Sequence, residues 1–327
     1  MTGMTENCAE EERMVTCNIF FLFFFRLDKS GTYHIIDNFL TSEHVVLENA
    51  HDVTVVTQCS ANHLHHLIEL SDRWKGPVSV AVFTFDDDFA HAVDAILHYH
   101  FCSDSVFKYV TFHLVFPISR TPRDLGTAAK AAESRLSCAQ PPAAAGKSRP
   151  FTNYAIEGIE YPHNVLRNLA VNYVQTRYVF VVDVDMVPSE DLRLQFQKLL
   201  ARLESENRTS SKIAYVVPSF EVKEGVAVPS TKGALLKDWS LWSARPFYSE
   251  LCAKCQRPTD FQRWRDLPRS EGLRIAYTKQ WEDPWEPFYI TRASLPLYDE
   301  RFKQYGFNRI SQVSGLCLVT CKCILCI

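Results

Sequence analysis

Two aspartates, Asp183 and Asp185, leave the apolar run 178–182 with a single residue between them. In an extended segment residues i and i+2 project to the same side, so both carboxylates can face one point. Two carboxylates in water-poor surroundings are costly without a cation, and oxygen ligands suit Mg²⁺ or Mn²⁺ with positions left open for phosphate. The pair therefore predicts a divalent metal that binds a phosphorylated ligand. The structural alternative is that both aspartates only cap the helix that begins near Ser189, although a cap needs one aspartate and not two.

Glu286 lies in a second chemical cluster, the aromatic segment "WEDPWEPFYI" of residues 281–290. Its neighbours Trp285 and Pro287 form an apolar environment that would raise the pKa of the carboxyl group towards the range of a general base. Aromatic rings beside acids also bind the faces of sugars. The alternative is a turn with surface acids, which we prefer for Glu282 and Asp283.

Cys252 and Cys255 could bind zinc, act in redox chemistry or form a disulfide. No second CxxC pair stands at zinc-finger spacing, and Asn207 begins an N-glycosylation sequon, so we favour the disulfide. Four cysteines near the C-terminus are separated by apolar residues, which disfavours a metal site and favours an abnormal chain end. They are Cys317, Cys321, Cys323 and Cys326. The histidines of "HLHH" (63–66) lie on the polar face of a predicted helix, where we expect a solvated surface.

The segments that must position these groups alternate between strand and helix from residue 52 onwards. Apolar runs at 52–59, 76–85, 109–116 and 178–182 are typical of buried strands, and amphipathic segments separate them. This order predicts βαβ units and an α/β fold with a mostly parallel central sheet flanked by helices. Ligands of such sheets bind at the carboxyl ends of the strands, where the two aspartates fall. Residues 119–150, rich in Ala, Pro, Ser and Gly, are interpreted as a flexible insertion or linker.

The composition limits the classes of function. A chain of 327 residues with 46% hydrophobic content can bury a large core, and its net charge of −3 carries no basic stripe, which argues against nucleic acid as a partner. Residues 14–25 are strongly apolar but too few to span a membrane, and an acidic leader precedes them. We expect residues 1–26 to be an incomplete or altered N-terminus, either an anchor remnant or disordered.

Four long blocks in the same order resemble the β-1,4-glucuronyltransferase 1 family. They are "VTVVTQCSANHLHHLIELSDRWKGPVSVAVF", "YPHNVLRNLAVNYVQTRY", "RYVFVVDVDMVPSEDL" and "WEPFYITRASLPLYDERFKQYGFNRISQ". That family is related to the glucuronyltransferase half of the bifunctional enzymes that build matriglycan. The resemblance covers roughly residues 27–312, with an aromatic-rich acceptor-side region, and leaves 313–327 as a divergent cysteine-rich tail.

The resemblance implies a GT-A glycosyltransferase that uses UDP-glucuronate and Mn²⁺ (or Mg²⁺). It implies a type II membrane protein of the Golgi with a lumenal catalytic domain, which adds glucuronate in inverting β-1,4 linkage to xylose on the O-mannosyl glycans of glycoproteins such as dystroglycan. A complex with other Golgi glycosyltransferases is possible. In this chain the resemblance assigns the metal to Asp183 and Asp185, and catalysis to Glu286 and Asp299. The donor is assigned to Thr57, Gln58, Cys59, Arg167, Asn168, Asp183 and Val184.

Two departures from that family affect the expected function. The anchor is only a stub, and the chain diverges after Gln312, before a histidine-containing block that completes the family's metal site. We therefore expect a truncated C-terminal part, and a catalytically impaired glycosyltransferase-like protein remains an alternative. A UDP-N-acetylglucosamine β-1,3-transferase is another. A haloacid-dehalogenase phosphatase also shares the pattern "DVDMV", but it lacks the expected position and second acidic motif here. The cation for the glucuronate carboxylate is left open among Arg167, Arg274 and Arg292.

Overall fold

The structure is a computed structural model. It describes residues 25–44, 51–86, 88–122, 125–139, 154, 158–210, 213–268, 270–294, 296–304, 306, 308–319 and 322–326, with the backbone alone for 316–319 and 322–326. The expectations for residues 1–24 lie outside the described residues.

A ten-stranded mixed sheet forms the centre of the described chain. Its strands run β1–β2–β5–β4–β3–β6–β11–β7–β12–β10 across the sheet, and β8 and β9 form a separate antiparallel pair. The strands are β1 (Arg26–Leu27), β2 (Tyr33–Leu40), β3 (Val53–Ser60), β4 (Val78–Phe83), β5 (Val110–Pro117), β6 (Tyr178–Val181), β7 (Ile213–Val216), β8 (Phe220–Val222), β9 (Ala244–Pro246), β10 (Ile275–Lys279), β11 (Tyr289–Arg292) and β12 (Lys322–Cys326).

The core of the sheet consists of the four strands β5, β4, β3 and β6, which are all parallel. Every residue of β3 and β4 is buried, because helices cover both faces, and unbroken apolar runs are typical of such strands. The expected α/β fold with a parallel central sheet is confirmed for this core. The strands next to this core on either side are antiparallel to it, β2 with β5 and β11 with β6.

Helices cover the two faces of the core unequally. The described α-helices are α1 (His66–Trp74), α2 (Asp88–Cys102), α3 (Asp104–Tyr109), α4 (Leu125–Arg135), α5 (His163–Asn172), α6 (Leu192–Ser205), α7 (Lys232–Ser240), α8 (Ala253–Gln256), α9 (Phe261–Asp266) and α10 (Asn308–Val319). One face packs against α1, α2 and α6 through residues such as Leu67, Ile96 and Phe196. The other face packs against α5 through Leu166 and Leu169.

The interpretation of residues 119–150 as an irregular linker is wrong for α4. This helix packs against α2, buries Ala129 and Ala132, and is followed by Cys138, which forms a disulfide with Cys102 at the end of α2. Alanine favours helix strongly, so the Ala-rich composition of this segment indicates a helix and not a loop. Residues 140–150 lie outside the described residues.

The C-terminal part of the chain returns to the sheet. β11 runs antiparallel between β6 and β7, and β12 runs parallel to β7 and antiparallel to β10. The tail at 313–327, expected only to diverge, therefore contributes the end of α10 and one strand. Among the described residues, no helix is both long and apolar enough to cross a membrane.

Candidate active site

Asp183 and Asp185 follow β6 at the carboxyl end of the parallel core, but their environments differ. The backbone turns directly after the strand, where the N–H of Met186 donates to the carbonyl of Asp183 at 3.0 Å. Val184 is buried in the main core, whereas Asp185 is exposed. The turn replaces the extended geometry that would have aimed both carboxylates at one point.

Asp183 is bound by two arginines. Arg167 of α5 donates from Nη2 to Oδ1 at 3.3 Å, and Arg309 of α10 donates from Nη2 to Oδ2 at 2.8 Å. Burial alone would raise the pKa of the Asp183 carboxyl, but the charges and hydrogen bonds of Arg309 and Arg167 outweigh it and lower the pKa to about 2. Asp183 is therefore ionised at neutral pH and serves as the counter-ion of two nearly buried guanidinium groups.

Asp185 lies close to two histidines and to a cavity. Its charge acts on His63 and His66, whose pKa values are lowered by burial and by His65. Both rings are half-buried and stack with centroids 6.0 Å apart, so the expectation of a purely solvated surface holds only for His65, which is exposed. A cavity of about 900 Å³ opens beside Asp185, and Lys232, Phe247 and Trp264 are among its lining residues. This volume is in the range of small-molecule sites.

The arrangement fits a divalent metal at one of the two aspartates. Each oxygen of Asp183 already accepts a hydrogen bond from an arginine, so a cation at Asp183 would have to share the carboxylate with Arg167 and Arg309. The exposed Asp185 has an accessible carboxylate, and Mg²⁺-type ions are commonly held by one or two carboxylates plus substrate phosphates. Within the described residues, no group of three or more His, Cys, Asp and Glu side chains could hold a metal ion. The residues thus fit a cation bound by Asp185 and by a ligand's phosphates.

Glu286 faces the Asp183 cluster from the C-terminal segment. A short local network fixes its backbone, since its N–H donates to the carbonyl of Cys255 at 2.9 Å and its carbonyl accepts from Gln256 at 2.7 Å. The side chain is half-buried. Burial raises the pKa of the Glu286 carboxyl, while the charges of Arg309 and Arg167 oppose that rise. A half-buried carboxyl group of raised pKa is suited to general acid–base chemistry.

Asp299, the second predicted catalytic acid, points away from this cluster. Its carboxylate accepts three hydrogen bonds from the side chain of the exposed Arg301, at 2.9, 3.1 and 2.6 Å, and hydrogen bonding from Arg301 lowers the pKa of Asp299 to about 2. Such a carboxylate is a poor base at neutral pH. The backbone carbonyl of Asp299 attaches this segment to α5, because it accepts a hydrogen bond from the side chain of Asn164 at 2.8 Å.

Arg167 and Asn168 are adjacent on α5 but have different roles. Asn168 is buried, donates to the Tyr298 carbonyl and to Glu300, and accepts from the Tyr298 N–H. All of its hydrogen-bonding groups therefore attach α5 to the segment 298–300, and the prediction that it contacts a donor does not fit this geometry. Of these two residues, only Arg167 contacts Asp183.

The three residues expected to line a nucleotide lie at the end of β3. Thr57 and Cys59 point to one face of the strand, where Cys59 is buried in the main core and burial raises the pKa of its thiol. Their side chains are not accessible to a ligand. Gln58 points to the α5 side, where it accepts a short hydrogen bond from the hydroxyl of Tyr161. Of these three, only Gln58 lies on the face that carries Arg167.

Of the three arginines proposed from sequence as the sugar-carboxylate cation, two lie elsewhere. Arg292 pairs with Tyr178 at the start of β6, whereas Asp183 follows the other end of that strand. Arg274 donates to the carbonyl of Pro268 at 3.1 Å, near the far end of α6. Arg309 was missed, because no spacing in the sequence relates residue 309 to residue 183.

Two further predicted sites are the glycosylation sequon and the CxxC pair. Asn207 is exposed just after α6 with a φ of 52°, so its glycosylation remains a prediction. The structure joins Cys252 and Cys255 in a disulfide, one of the three alternatives that the spacing allowed. The side chains of the four tail cysteines lie outside the described residues.

Comparison with known proteins identifies one family. A family model described as "Glycosyl-transferase for dystroglycan" matches residues 52–322. The match includes the parallel core, the two aspartates, Glu286 and Arg309, and extends ten residues beyond the end of the resemblance seen in the sequence.

Individual relatives match over most of this chain. Beta-1,4-glucuronyltransferase 1 of Homo sapiens is 39% identical over 297 residues, which cover 89% of this chain and 68% of that protein. The protein of the same name from Danio rerio is 36% identical over 310 residues, which cover 88% and 69%. Xylosyl- and glucuronyltransferase LARGE2s of Gallus gallus is 28% identical over 281 residues, which cover 85% of this chain and 31% of that protein. This chain therefore spans about two thirds of the first two relatives.

Proposed function

The chain belongs to the glycosyltransferase family described as acting on dystroglycan, and from that premise we propose that it transfers glucuronate from UDP-glucuronate to a xylose-terminated glycan. The proposed linkage is β-1,4 with inversion, and the acceptor is an O-mannosyl glycan of a glycoprotein such as dystroglycan. Named glucuronyltransferase relatives at 36% and 39% identity support this reaction. Family membership argues against the phosphatase alternative.

One observation in the structure carries the proposal. At the carboxyl end of β6, a charged cluster combines Asp183, Arg167, Arg309 and the half-buried Glu286. Phe247 in the wall of the 900 Å³ cavity contacts Phe288 at 5.2 Å between ring centroids, and Arg309 covers Phe288. The cavity wall thus lies two side-chain contacts from the Arg309 cation, and Asp185 in the same wall is two residues from Asp183, which suits a transferase for an anionic sugar.

Glu286 is the proposed general base. It would accept the proton of the xylose hydroxyl while that oxygen forms a bond to the anomeric carbon and the bond from that carbon to the UDP oxygen breaks. Burial raises the pKa of the Glu286 carboxyl, which makes the carboxylate a stronger base for this proton. Asp299, paired with Arg301, is not part of this step.

The nucleotide is proposed to lie across the carboxyl ends of β3 and β6, as in the GT-A fold. Asp185 would hold a Mn²⁺ or Mg²⁺ ion together with the diphosphate oxygens. Such an ion supplies charge neutralisation for the departing UDP. Gln58 and Arg167, on the same face of the sheet, would position the donor beside Glu286.

The compartment that we propose is the lumen of the Golgi, with the chain held at its membrane and able to associate with other glycosyltransferases there. Two disulfides among the described residues, Cys102–Cys138 and Cys252–Cys255, support an oxidising compartment. The accessible sequon at Asn207 is consistent with it.

A transfer assay with three donors tests the reaction. The chain is incubated with a β-xyloside acceptor and UDP-glucuronate, UDP-glucose or UDP-N-acetylglucosamine, with Mn²⁺ or with a chelator, and the product is identified by mass. We expect a glucuronyl-xyloside, made only with Mn²⁺. The Glu286→Gln enzyme should lose about 10²- to 10⁴-fold in rate, as loss of a general base does, while Asp299→Asn should retain most of the activity.

The other outcomes identify the alternatives. Transfer from UDP-N-acetylglucosamine alone would support the β-1,3-transferase. Nucleotide binding without transfer would support a catalytically impaired protein, and turnover unaffected by Glu286→Gln would disprove the assigned base.

A further inference from the structure

The charged cluster holds two nearly buried guanidinium groups that share a single ion-paired carboxylate. The side chains of Arg167 and Arg309 are 6% and 11% exposed, and both form their ion pair with the same carboxylate, Asp183. His163 lies in the same field, and burial, aided by Arg167, lowers its pKa to about 4, so its ring is neutral at neutral pH. Glu286 acts on both arginines through its charge but forms no ion pair with either among the described residues, so the guanidinium groups can still accept a further anion as a hydrogen-bond partner.

Arg309 also has unused hydrogen-bond donors. A guanidinium group carries five N–H donors in a planar fork, yet among the described residues the Arg309 side chain donates only to Asp183. Its Cζ lies 4.0 Å from the centroid of the Phe288 ring, a cation–π contact that fixes the position of the guanidinium group. The fork is therefore held in place with donors available.

The position of this fork corresponds to the sugar and not to the nucleotide. Arg309 and Arg167 both act electrostatically on Glu286, the group that we place beside the anomeric carbon. The nucleotide is proposed to lie towards β3, where Gln58 and Tyr161 supply neutral polar groups. A carboxylate on the pyranose ring would reach cations beside Glu286, and a planar carboxylate matches the geometry of a guanidinium group.

We propose that Arg309, supported by Arg167, binds the C6 carboxylate of the donor sugar and thereby selects UDP-glucuronate over neutral UDP-hexoses. This inference rests on the proposed function, and it assigns donor selection to a residue outside the aspartate motif. The alternative anion for Arg309 is the diphosphate of the donor, which all UDP-sugars share.

Calorimetric titration of three ligands separates these two anions. UDP, UDP-glucose and UDP-glucuronate are titrated in Mn²⁺ into the unaltered chain and into Arg309→Gln. We expect the unaltered chain to bind UDP-glucuronate at least about 10-fold tighter than UDP-glucose, the effect of one charge-assisted hydrogen-bonded pair. In Arg309→Gln this preference should fall below about 3-fold because UDP-glucuronate weakens, with UDP and UDP-glucose affinities unchanged within about 3-fold.

Three further variants control the experiment. Arg309→Lys keeps the charge but loses the fork, so it should retain only part of the preference. Arg135→Gln removes an exposed arginine that pairs with Asp94 of α2 and should leave all three affinities unchanged. Arg167→Gln should reduce the preference in the same direction, and it replaces Arg309→Gln if the melting temperature shows that the latter does not fold.

Each contrary outcome has a separate meaning. An equal loss of affinity for all three ligands would assign Arg309 to the diphosphate and overturn the inference, as would an unaltered chain that does not distinguish UDP-glucuronate from UDP-glucose. Absence of binding by any uridine nucleotide would instead overturn the proposed function itself, and the inference with it.

Discussion

The parallel unit, residues 51–210, and the C-terminal region, residues 213–319, bury their cores by different means. In the parallel unit the strands β3 and β4 are buried throughout, and the buried apolar residues of the whole unit are mainly aliphatic. In the C-terminal region half of the buried apolar residues are aromatic, and several of them form specific hydrogen bonds. Trp285 is fully buried while its indole N–H donates to Thr259 at 2.9 Å, and the Tyr277 hydroxyl donates to the carbonyl of Thr259 at 2.7 Å.

This difference explains where the chemistry resides. Apolar burial over regular elements builds a rigid support, and the parallel unit contributes Asp183 and Arg167 from its strand end and helix. The C-terminal region contributes Glu286 and Arg309 from segments fixed by individual hydrogen bonds and by the Cys252–Cys255 disulfide. The charged cluster forms only where the two regions meet.

Removing the central aromatic residue of the C-terminal region should have the largest effect. We expect Trp285→Ala to lower the free energy of unfolding by about 4 kcal/mol, because it leaves a large cavity and an unpaired Thr259 hydroxyl. Urea denaturation measures the change. Trp242, which is 88% exposed, is the matched control, and Trp242→Ala should change the free energy by less than about 0.5 kcal/mol. Equal effects would mean that the aromatic core does not stabilise this region.

A buried ion pair should contribute to the stability of the parallel unit. Asp52, just before β3, accepts hydrogen bonds from Arg193 of α6 at 2.8 Å and 2.7 Å and from Gln197 at 2.8 Å. We expect Asp52→Asn to cost about 3 kcal/mol of unfolding free energy, because it leaves Arg193 without a counter-ion. The exposed pair of Asp94 and Arg135 is the control, and Asp94→Asn should cost less than about 0.5 kcal/mol. A cost for Asp52→Asn as small as that of the control would contradict this description.

The pH dependence of Asp183 should give the smallest effect. Its folded-state pKa of about 2 lies below the ordinary 3.8, so its stabilisation is present above about pH 4 and is lost as the pH falls through about 2. Since the side chain is 36% exposed, we expect a contribution of only about 1 kcal/mol, measured as the difference between the unaltered chain and Asp183→Asn in denaturation from pH 5 to pH 2.

Salt distinguishes this interaction from a surface pair. Asp299 also has a pKa of about 2, but its partner Arg301 is exposed. About 0.5 M NaCl should therefore screen the Asp299–Arg301 interaction and remove its contribution to the loss of stability in acid. The contribution of Asp183 to that loss should remain largely unchanged. Equal sensitivity to salt would indicate that Asp183 does not lie between buried arginines.

The sequence predicted the parallel unit well and the rest poorly, for a physical reason. The runs at 53–60 and 178–181 are continuous and β-branched, which only a buried strand explains, and the strands of the core were predicted within about two residues. The helix α4 was missed because its alanines were weighed with nearby Pro and Gly. The antiparallel insertion of β11 between β6 and β7 depends on contacts between residues more than 70 positions apart, which local patterns do not encode.

The candidate site divides in the same way. The sequence located Asp183, Asp185 and Glu286, because acids beside strand ends or aromatic residues stand out. It overestimated Asn168 and Cys59, because a resemblance between residue types does not show which way a side chain points. It missed Arg309, since only the folded chain brings α10 to the end of β6.

Hydrogen exchange during donor binding tests most directly whether the two regions form one site. The chain is titrated with UDP-glucuronate in Mn²⁺, and protection is followed by mass spectrometry in residues 178–187, 285–290 and 308–313. We expect all three segments to gain protection together, with the same midpoint concentration. Protection limited to the end of β3 and to residues 178–187, with the other two segments unchanged at saturation, would contradict a donor site shared by both regions.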